Sequence, residues 1–477
     1  MRTIIQQIIA GAVEKYLEYY ERNGITELSG MTKDFKAISD EMAREMLRVF
    51  IDTADQALCE AKAERKADGV KIHERAVPRE LYTALGPLRY NRTYFNTPDG
   101  MCHLLDGLLG VAAYDRIDSG VSAELVNLAA VHSYGRSADI ATGGDISRQS
   151  VRNKAMNTGE VVYLPTRVEE SPGSIHIFAD EDHVNLQSGG NTVVPLITVC
   201  EGKRVVCKDR HELIAPFHIH GYGMKPDDLW GYAYALCAEK YDMSLVKEVY
   251  VYGDGASWIS RHADVFPGAI HVMDVFHFKK RMKSLFAGEI CQAHMLSANA
   301  AIGRNDKDAF SRIVRVLLRE VGESMPAGKT RENKLKAITD SGGYILGHWD
   351  AIQNIRLPGS IGSCTEAMVS HVLSARLSRN PMGWSEGGIS KISMLRVYVL
   401  NGGRVEPVDT LAWKRNPMRH RVVENIERYD RIIKRQSDEV LKDARNWRWF
   451  EGENMISGKT TGTKVALDAL GRIRKVS

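Results

Sequence analysis

The sequence lacks the features that mark membrane and secreted proteins. No run approaches the roughly 18 consecutive apolar residues that a membrane span requires. The 477 residues include seven scattered cysteines, an odd number without any Cys-x2-Cys pair, so neither a disulfide framework nor a zinc ribbon is expected. Gln6 and Gln7 interrupt the apolar segment near the N-terminus, which therefore predicts an amphipathic helix rather than a signal peptide. We expect a cytoplasmic protein without a membrane partner.

Nucleotide-binding fingerprints are also missing. The sequence contains neither the P-loop pattern nor the Gly-x-Gly-x-x-Gly pattern of dinucleotide-binding folds, so a reaction that needs ATP or NAD is not expected. Hydrophobic residues make up 44% and charged residues 26% of the chain, as in ordinary globular proteins. Such a length suggests about three domains. Function must therefore be sought in local patterns of charge and motif.

Positive charge is concentrated at the C-terminal end. The net charge of the whole chain is only +4, yet residues 414–477 hold 16 Lys and Arg against 9 Asp and Glu. Trp447, Trp449 and Phe450 stand among these charges, as stacking groups do on nucleic-acid-binding surfaces. A solvated helical face would explain the same composition, and both interpretations stay open.

The hydrophobic pattern predicts a mixed α/β protein. Apolar residues recur at helical spacing through the first 75 residues, through 104–156 and through 280–355. Two further helices are expected over 229–242 and 365–379. Strands are predicted at 86–100, 174–180, 191–200, 203–209, 247–255 and 269–277. The three strands between 174 and 209 are expected to form an antiparallel meander.

Three acidic residues stand at the ends of predicted elements. Asp180 and Asp254 end strands, and Glu366 begins a helix. Strand ends and helix starts meet at one edge of an open α/β sheet, so these carboxylates can converge there and hold Mg²⁺. A pair of divalent ions activates the attacking oxygen and stabilises the leaving oxygen in phosphodiester chemistry. The structural alternative is that Asp254 is only a turn residue and that Glu366 only favours its helix dipole.

Five longer strings carry a family resemblance. They are FADEDHV (178–184), YGDGASWI (252–259), HVMDVFHFKK (271–280), SCTEAMVSHVLSARLSRNPMGWS (363–385) and LYTALGPLRYNRTYF (81–95). Together they resemble the ISLre family of bacterial insertion-sequence transposases, which is similar to the Mutator-like transposases. The resemblance implies a multidomain α/β fold with an RNase H-like catalytic core and an all-helical insertion. It implies that Asp180, Asp254 and Glu366 form a DDE triad that binds two Mg²⁺ or Mn²⁺ ions.

The resemblance also implies accessory residues. Asp182 lies on the same strand face as Asp180 and is the alternative first Asp of the triad. Asp274 and His277 match the Cys/Asp-x-x-His element of Mutator-like enzymes. In that context His277 contacts DNA or braces the site, although a structural histidine at a strand end is an equal alternative. Residues expected to contact the transposon end are Arg376, Arg379 and Trp384, the arginines through phosphates and the tryptophan through base stacking.

Residues 122–157 predict a helix-turn-helix. Apolar Leu125, Leu128, Ala129, Ile140, Ile146 and Val151 suit a compact set of three helices, and Ser147 is a fitting N-cap for the third. That third helix would enter a major groove. Its expected DNA-facing residues are Arg148, Gln149, Arg152, Asn153 and Lys154.

These expectations combine into a six-region DDE transposase. The regions are 1–75 (helical), 76–165 (strand and helix-turn-helix), 166–280 (first part of the core), 281–355 (helical insertion), 356–410 (second part of the core, with Glu366) and 411–477 (basic). Such an enzyme cleaves transposon ends and joins them to target DNA, acts as an oligomer and associates with the nucleoid. Two alternatives remain: a non-catalytic DNA-binding regulator with an RNase H-like fold, and a metal-dependent structure-selective nuclease.

Overall fold

A computed structural model describes residues 2–208 and 210–411 as a mixed α/β protein. The chain divides into two compact units. The first unit comprises Met1–Val126, Ala138–Gly159 and Glu406–Ser477, and the second comprises Asn127–Ser137 and Glu160–Val405. The basic segment 414–477, with Trp447, Trp449 and Phe450, lies outside the described residues. Within the described ranges, no helix combines the length and the apolar character that crossing a bilayer requires.

The first unit begins with helices that pack on a small antiparallel sheet. The elements are α1 (Arg2–Asn23), α2 (Leu28–Glu60), α3 (Lys62–Ala67), β1 (Lys71–Thr83), β2 (Gly86–Thr97), β3 (Gly100–Cys102) and α4 (Leu104–Leu108). Leu58, Phe95 and Leu105 form the centre of the core. The sequence predicted helix to residue 75 and missed β1. Most of the first ten residues of β1 are exposed, so no apolar alternation marks them as a strand.

Three helices follow, in the segment predicted as a helix-turn-helix. They are α5 (Ser119–Val131), α6 (Tyr134–Thr142) and α7 (Arg148–Asn157). The predicted N-cap is confirmed, because Oγ of Ser147 accepts a hydrogen bond from the backbone N–H of Ser150 at 3.2 Å. Val151 and Ala155 are buried, whereas Ile140 is 46% exposed. Ile140 was therefore wrongly assigned to the core.

A five-stranded mixed sheet forms the centre of the second unit. Its strands are β4 (Ser174–Asn185), β5 (Asn191–Cys200), β8 (Phe217–His220), β9 (Glu248–Gly253) and β10 (Ile270–Met273), in the order β10-β9-β4-β5-β8. β4, β9 and β10 are parallel neighbours, whereas β5 is antiparallel to both β4 and β8. Ile177 and Val251 face one apolar core, and Phe178 and Tyr252 face another, so both sides of the sheet are covered.

The predicted three-strand meander needs a correction. The third predicted strand, β6 (Gly202–Cys207), leaves the sheet and pairs with β7 (Arg210–Ile214) in a separate two-stranded hairpin. β8, which the sequence did not predict, pairs with β5 instead and forms the edge of the sheet. Val205 and Val206 have the composition of a core strand but are more than half exposed. Residue type alone could not show that β6 lies outside the sheet.

Helices complete the second unit. α8 (Pro226–Lys240) and the short α9 (Ser257–Ser260) flank the sheet, and a 3₁₀ turn follows at Arg261–Asp264. The region predicted to be helical holds α10 (Val275–Leu285), α11 (Glu289–Gln292), α12 (Met295–Gly303), α13 (Lys307–Ser324), α14 (Lys329–Gly347) and α15 (Trp349–Asn354). The strand predicted for 269–277 ends at Met273. Asp274 caps α10 instead, accepting a hydrogen bond from the backbone N–H of His277.

The helix predicted for 365–379 is present from Thr365 to Leu377, but it is not α-helical throughout. It consists of α16 (Thr365–Val369), a π-helical turn at Ser370–Ser374 and α17 (Ala375–Leu377). A further helix that the sequence did not predict, α18 (Glu386–Leu400), follows, and a 3₁₀ turn at Pro407–Thr410 belongs to the first unit. π-Turns concentrate at functional sites. This one begins four residues after Glu366.

Candidate metal centre

Three aspartates occupy matching register positions on three adjacent strands, near one edge of the sheet. The strand register pairs Phe178 with Tyr252 and Tyr252 with Val272. Asp180, Asp254 and Asp274 each lie two residues beyond these partners. Asp254 and Asp274 directly follow β9 and β10, whereas β4 continues past Asp180 to Asn185 in its pairing with β5, so the prediction that Asp180 ends its strand was wrong. Asp180 instead lies just beyond the last parallel pair of β4 with β9. Ligands of open α/β sheets bind at this edge.

Asp180 meets Glu366 and His277 at this edge. One ligand atom from each of these three residues lies within 4.8 Å of the other two. Asp180 comes from β4, His277 from the first turn of α10 and Glu366 from the first turn of α16. The Glu366 side chain is 49% exposed, so the group opens to solvent on one side. Two carboxylates and an imidazole form a donor set that suits Mg²⁺ or Mn²⁺ through oxygen, with His277 as a possible nitrogen ligand.

Asp274 holds the imidazole and the segment before Glu366. Its Oδ2 lies 2.8 Å from Nδ1 of His277, and its Oδ1 accepts hydrogen bonds from Oγ1 of Thr365 at 2.7 Å and from the hydroxyl of Ser363. Burial alone would raise the pKa of Asp274, but the hydrogen bonds from His277, Ser363 and Thr365 outweigh it and lower that pKa to about 2. Asp274 is therefore an ionised bracing group.

Asp254 stands beside this group but is not a member of it. Its Oδ1 accepts a hydrogen bond from the backbone N–H of Ala256 at 2.9 Å, and its carbonyl oxygen accepts one from the hydroxyl of Tyr344. The structure explains why the preceding residue, Gly253, is a glycine. A Cβ at that position would lie 3.0 Å from the carbonyl oxygen of Ala179. Glycine therefore permits the close approach of the two chain segments that carry Asp180 and Asp254.

The carboxylates act on one another electrostatically. Burial, with added repulsion from Glu366 and Asp254, raises the pKa of Asp180 to about 7. The hydrogen bond that His277 donates to Asp274 raises the pKa of His277, and the negative charges of Asp180 and Asp254 add to that effect. Acids crowded in this way bind protons more readily unless a cation neutralises them. The raised pKa of Asp180, caused mainly by burial, is therefore consistent with a site that a divalent cation would neutralise.

Asp182, the alternative first Asp, has a different environment. Its side chain is buried and accepts hydrogen bonds from Oγ of Ser374 at 2.9 Å and from Oγ of Ser378 at 2.8 Å. Both serines follow Glu366 in the chain, so Asp182 connects β4 to the segment that carries Glu366. The structure brings Asp180, and not Asp182, together with Glu366 and His277.

Arg396 supports the π-turn after Glu366. Its guanidinium donates to the carbonyl oxygens of His371 at 2.7 Å, of Ala130 at 3.1 Å and of Val372. A π-turn leaves backbone carbonyls without their usual helical partners. Burial lowers the pKa of Arg396 to about 10. The buried arginine thus replaces hydrogen bonds that the irregular helix lacks.

Two residues predicted to contact DNA are part of the interior. Arg376 is 4% exposed, donates to the carbonyl oxygen of Ala129 at 2.9 Å and lies over the rings of Tyr134 and Trp384. Trp384 is 7% exposed and donates its indole N–H to the carbonyl oxygen of Leu377. Packing already uses both side chains, so this structure does not present Arg376 and Trp384 to DNA as the prediction expected. Arg379 is exposed, and its DNA contact stays a prediction.

The third helix of the predicted helix-turn-helix is largely exposed. Arg148, Gln149, Arg152 and Asn153 all face solvent, and Nε2 of Gln149 donates to Oδ1 of Asn153 at 3.0 Å. Lys154 is an exception, since its Nζ pairs with Oδ1 of Asp115 at 3.0 Å and its side chain is only 18% exposed. Lys154 therefore differs from the other four residues, because an ion pair within the protein already uses its charge.

The sequence interpretation missed several residues that shape the site. Ser363 and Thr365 were visible in the string SCTEA, where hydroxyls next to Glu366 could have suggested a supporting role. Tyr344 gave no signal, because its partner Asp254 lies 90 residues away in the chain. The serines that bind Asp182 are also distant, at separations of 192 and 196 residues.

Comparison with known proteins identifies relatives across most of the chain. The pattern of a family described as "Uncharacterised protein family (UPF0236)" matches residues 21–414. UPF0236 protein TTE2489 of Caldanaerobacter subterraneus subsp. tengcongensis is 31% identical over 390 residues, covering 81% of this chain and 80% of the relative. UPF0236 protein TTE0402 of the same organism is 30% identical, covering 81% of this chain and 76% of the relative.

A third relative is present in many copies. It is also 31% identical, covers 81% of both chains, and bears a name that combines eleven locus designations of that one genome. Such repetition within a genome is typical of insertion-sequence elements.

Proposed function

The chain belongs to the uncharacterised protein family UPF0236, and from its acidic site we propose that it is a DDE transposase that cleaves and joins DNA. The observation that carries the proposal is the meeting of Asp180, Glu366 and His277 within 4.8 Å, with Asp254 at the matching register position of the next strand. Metal-dependent phosphodiester chemistry needs such converging carboxylates.

The order of elements supports an RNase H-like core. A central strand that carries Asp180 is followed by two strands that extend the sheet antiparallel to one another, then by a helix, then by a parallel strand ending before Asp254. The helices α10–α15 then separate the second Asp from Glu366, as expected for a helical insertion. Exposed Arg148 and Arg152 on α7 support the proposed helix-turn-helix role in DNA binding.

The proposed chemistry assigns a role to each group. Two Mg²⁺ or Mn²⁺ ions, when bound, would activate the attacking oxygen and stabilise the leaving oxygen. Asp180 and Glu366 would hold them, with Asp254 completing the set. Asp274 orients His277 through Nδ1, and Nε2, which lies toward Glu366, would then face the reacting phosphate. In cleavage, a water oxygen bonds to phosphorus while the bond to O3′ breaks and O3′ gains a proton. In joining, that 3′-OH attacks a target phosphodiester and displaces its O3′.

Gene multiplicity favours a transposase over a nuclease that does not join strands. A relative with eleven locus designations in one genome is what replication of a mobile element would produce. A DNA-binding regulator has no need for three carboxylates and a braced histidine at one sheet edge. Both alternatives are outcomes of the experiment that follows.

The test is a cleavage and joining assay with DNA that contains the ends of the element, found as inverted repeats flanking the gene. The assay is run in EDTA, Ca²⁺, Mg²⁺ and Mn²⁺. We expect cleavage and joining in Mg²⁺ and Mn²⁺ and binding alone in Ca²⁺, whose larger shell does not align the reacting atoms. Cleavage without joining would identify a nuclease. Binding without cleavage in any metal would identify a regulator, and cleavage in EDTA would exclude the metal mechanism.

A further inference from the structure

One face of α10 is basic and exposed, and it begins at the metal centre. Phe276, Lys279, Lys280 and Lys283 follow the spacing i, i+3, i+4, i+7, which places them on one side of a helix, and all four are exposed. On the opposite side, Phe278, Met282 and Leu285 pack into the helical core. We call the exposed set the α10 face. The helix is thus anchored by its apolar side and offers its cationic side to solvent.

Charge on the α10 face has one sign. The helix VFHFKKRMKSL contains no acidic residue, and among the residues the structure describes no carboxylate pairs with Lys279, Lys280 or Lys283. An ordinary solvated helix carries acidic residues among its basic ones, and α13 is an example. On α13, Arg312, Arg315 and Arg319 are also exposed, but acidic residues accompany them, namely Asp308, Glu320 and Glu323. Uncompensated positive charge of this kind favours a polyanion.

The α10 face is attached directly to the reacting groups. Asp274 caps α10, and His277 in its first turn has Nε2 3.9 Å from Oε1 of Glu366. Phe276 is the neighbour of His277, with ring centroids 5.4 Å apart and edge-to-face geometry. Its side chain is 53% exposed although it is large and apolar. An aromatic ring exposed next to a phosphodiester-cleaving centre and followed by lysines has the composition of a surface that holds a nucleic-acid strand.

Resting on the proposed function, we propose that the α10 face binds the DNA strand that leads away from the scissile phosphate. Lys279, Lys280 and Lys283 contact consecutive phosphates. Lys279 and Lys283 lie about 6 Å apart along the helix axis, so their side chains reach different phosphates of one strand. Phe276 stacks on a base next to the cleavage position and orients the strand over Asp180 and Glu366. The occupant is DNA, and a second protein surface is the competing outcome.

The test measures DNA binding without cleavage. Full-length protein carrying Asp254→Asn is titrated in Ca²⁺ against a labelled short duplex with a single-stranded 3′ overhang, at several salt concentrations. Replacing Lys279, Lys280 and Lys283 together by Gln should weaken binding and reduce the slope of log affinity against log salt by roughly 2 to 3. The matched control replaces Arg312, Arg315 and Arg319 of α13 by Gln. It removes the same charge from another helix and should leave the slope unchanged.

Phe276 is tested separately. Phe276→Ala should weaken binding of the overhang probe roughly tenfold with an unchanged salt slope, because stacking releases no counterions. Phe276→Trp should restore the affinity. Melting temperatures equal to that of the parent protein confirm that these surface variants fold.

Each other result is decisive. An unchanged slope in the lysine variant, or an equal loss in the α13 control, overturns the α10 proposal and leaves the proposed function standing. A change of oligomeric state at unchanged DNA affinity assigns the face to a protein partner and also overturns it. If the parent protein binds no DNA in Ca²⁺, both the α10 proposal and the proposed function fail.

Discussion

Nδ1 of His277 lies 2.8 Å from Oδ2 of Asp274, and Nε2 of the same ring lies 3.9 Å from Oε1 of Glu366. The first contact directs the Nδ1 proton toward Asp274, and Nε2 therefore faces the carboxylate of Glu366. The short segment from Ser363 to Thr365 binds the other oxygen of Asp274. One aspartate thus positions both an imidazole and the start of the helix that carries Glu366.

This relationship predicts a measurable role for Asp274. Asp274→Asn replaces the acceptor facing Nδ1 with an amide and removes the negative charge, so His277 and Glu366 lose their common support. We expect Mn²⁺ affinity, measured by calorimetry, to fall roughly 10- to 100-fold. Ser363→Ala removes one hydroxyl and keeps the charge, so its effect should be smaller. Equal Mn²⁺ affinity in Asp274→Asn and the parent protein would contradict the role assigned to Asp274.

Asp254 is predicted to be needed for catalysis and not for folding. Asp254→Asn preserves the side-chain oxygen that accepts the Ala256 N–H bond but removes the charge that a metal ion needs. Cleavage in Mg²⁺ should fall below detection, while the melting temperature and end binding stay near those of the parent. Near-full cleavage by the purified variant would show that Asp180, Glu366 and His277 suffice without Asp254.

Asp182 is predicted to stabilise the segment that carries Glu366. Asp182→Ala leaves the hydroxyls of Ser374 and Ser378 without their shared acceptor in a buried place. We expect a loss of about 1–3 kcal/mol in the free energy of unfolding, measured with denaturant. Glu181→Gln is the matched control, because Glu181 is the neighbouring acid, makes no contact with those serines, and as glutamine keeps an oxygen for the indole N–H of Trp258. A loss no larger than in Glu181→Gln would remove Asp182 from this supporting role.

His176 is predicted to make the protein less stable in acid. Its ring is buried in β4, where Nδ1 lies 3.2 Å from the hydroxyl of Tyr252 and the ring stacks on Tyr250. Burial lowers its pKa to about 4, although nearby Glu248 opposes the shift. The unfolded chain takes up this proton near pH 6.5 and the folded chain near pH 4. Stability is therefore lost as pH falls through this window.

The size of this effect can be isolated with His176→Phe. Removing the group should lessen the fall in stability between pH 6.5 and 4 by something on the order of 2–3 kcal/mol. Near pH 7, the melting temperatures of variant and parent should respond to pH in the same way. Toward pH 4.5, the melting temperature of the parent should fall faster than that of the variant. If the melting temperatures of variant and parent fell equally over this pH range, that result would contradict a neutral, buried His176.

Some of the fold could be predicted because its signals are local. Apolar residues on one side of a helix, or a continuous β-branched strand such as 191–200, reflect burial that each element needs whatever its neighbours are. The same is true of the cap at Ser147, whose partner lies three residues away. β1 and α18 were missed for the converse reason: β1 is mostly exposed, and α18 lacks a distinct apolar face.

The sequence by itself singled out Asp180, Asp254 and Glu366 as acids that could converge. Asp254 follows its strand and Glu366 lies in the first turn of its helix as predicted, whereas β4 continues past Asp180 to Asn185. Only the tertiary structure decided how they are used. It gave Asp182 hydrogen bonds from two serines more than 190 residues away in the chain. It brought Asp180 together with Glu366 and added His277 to that group. It also buried Arg376 and Trp384, which the sequence had suggested for DNA contact. Side-chain type records what a residue can do chemically, whereas burial and partners depend on which distant segments fold against it.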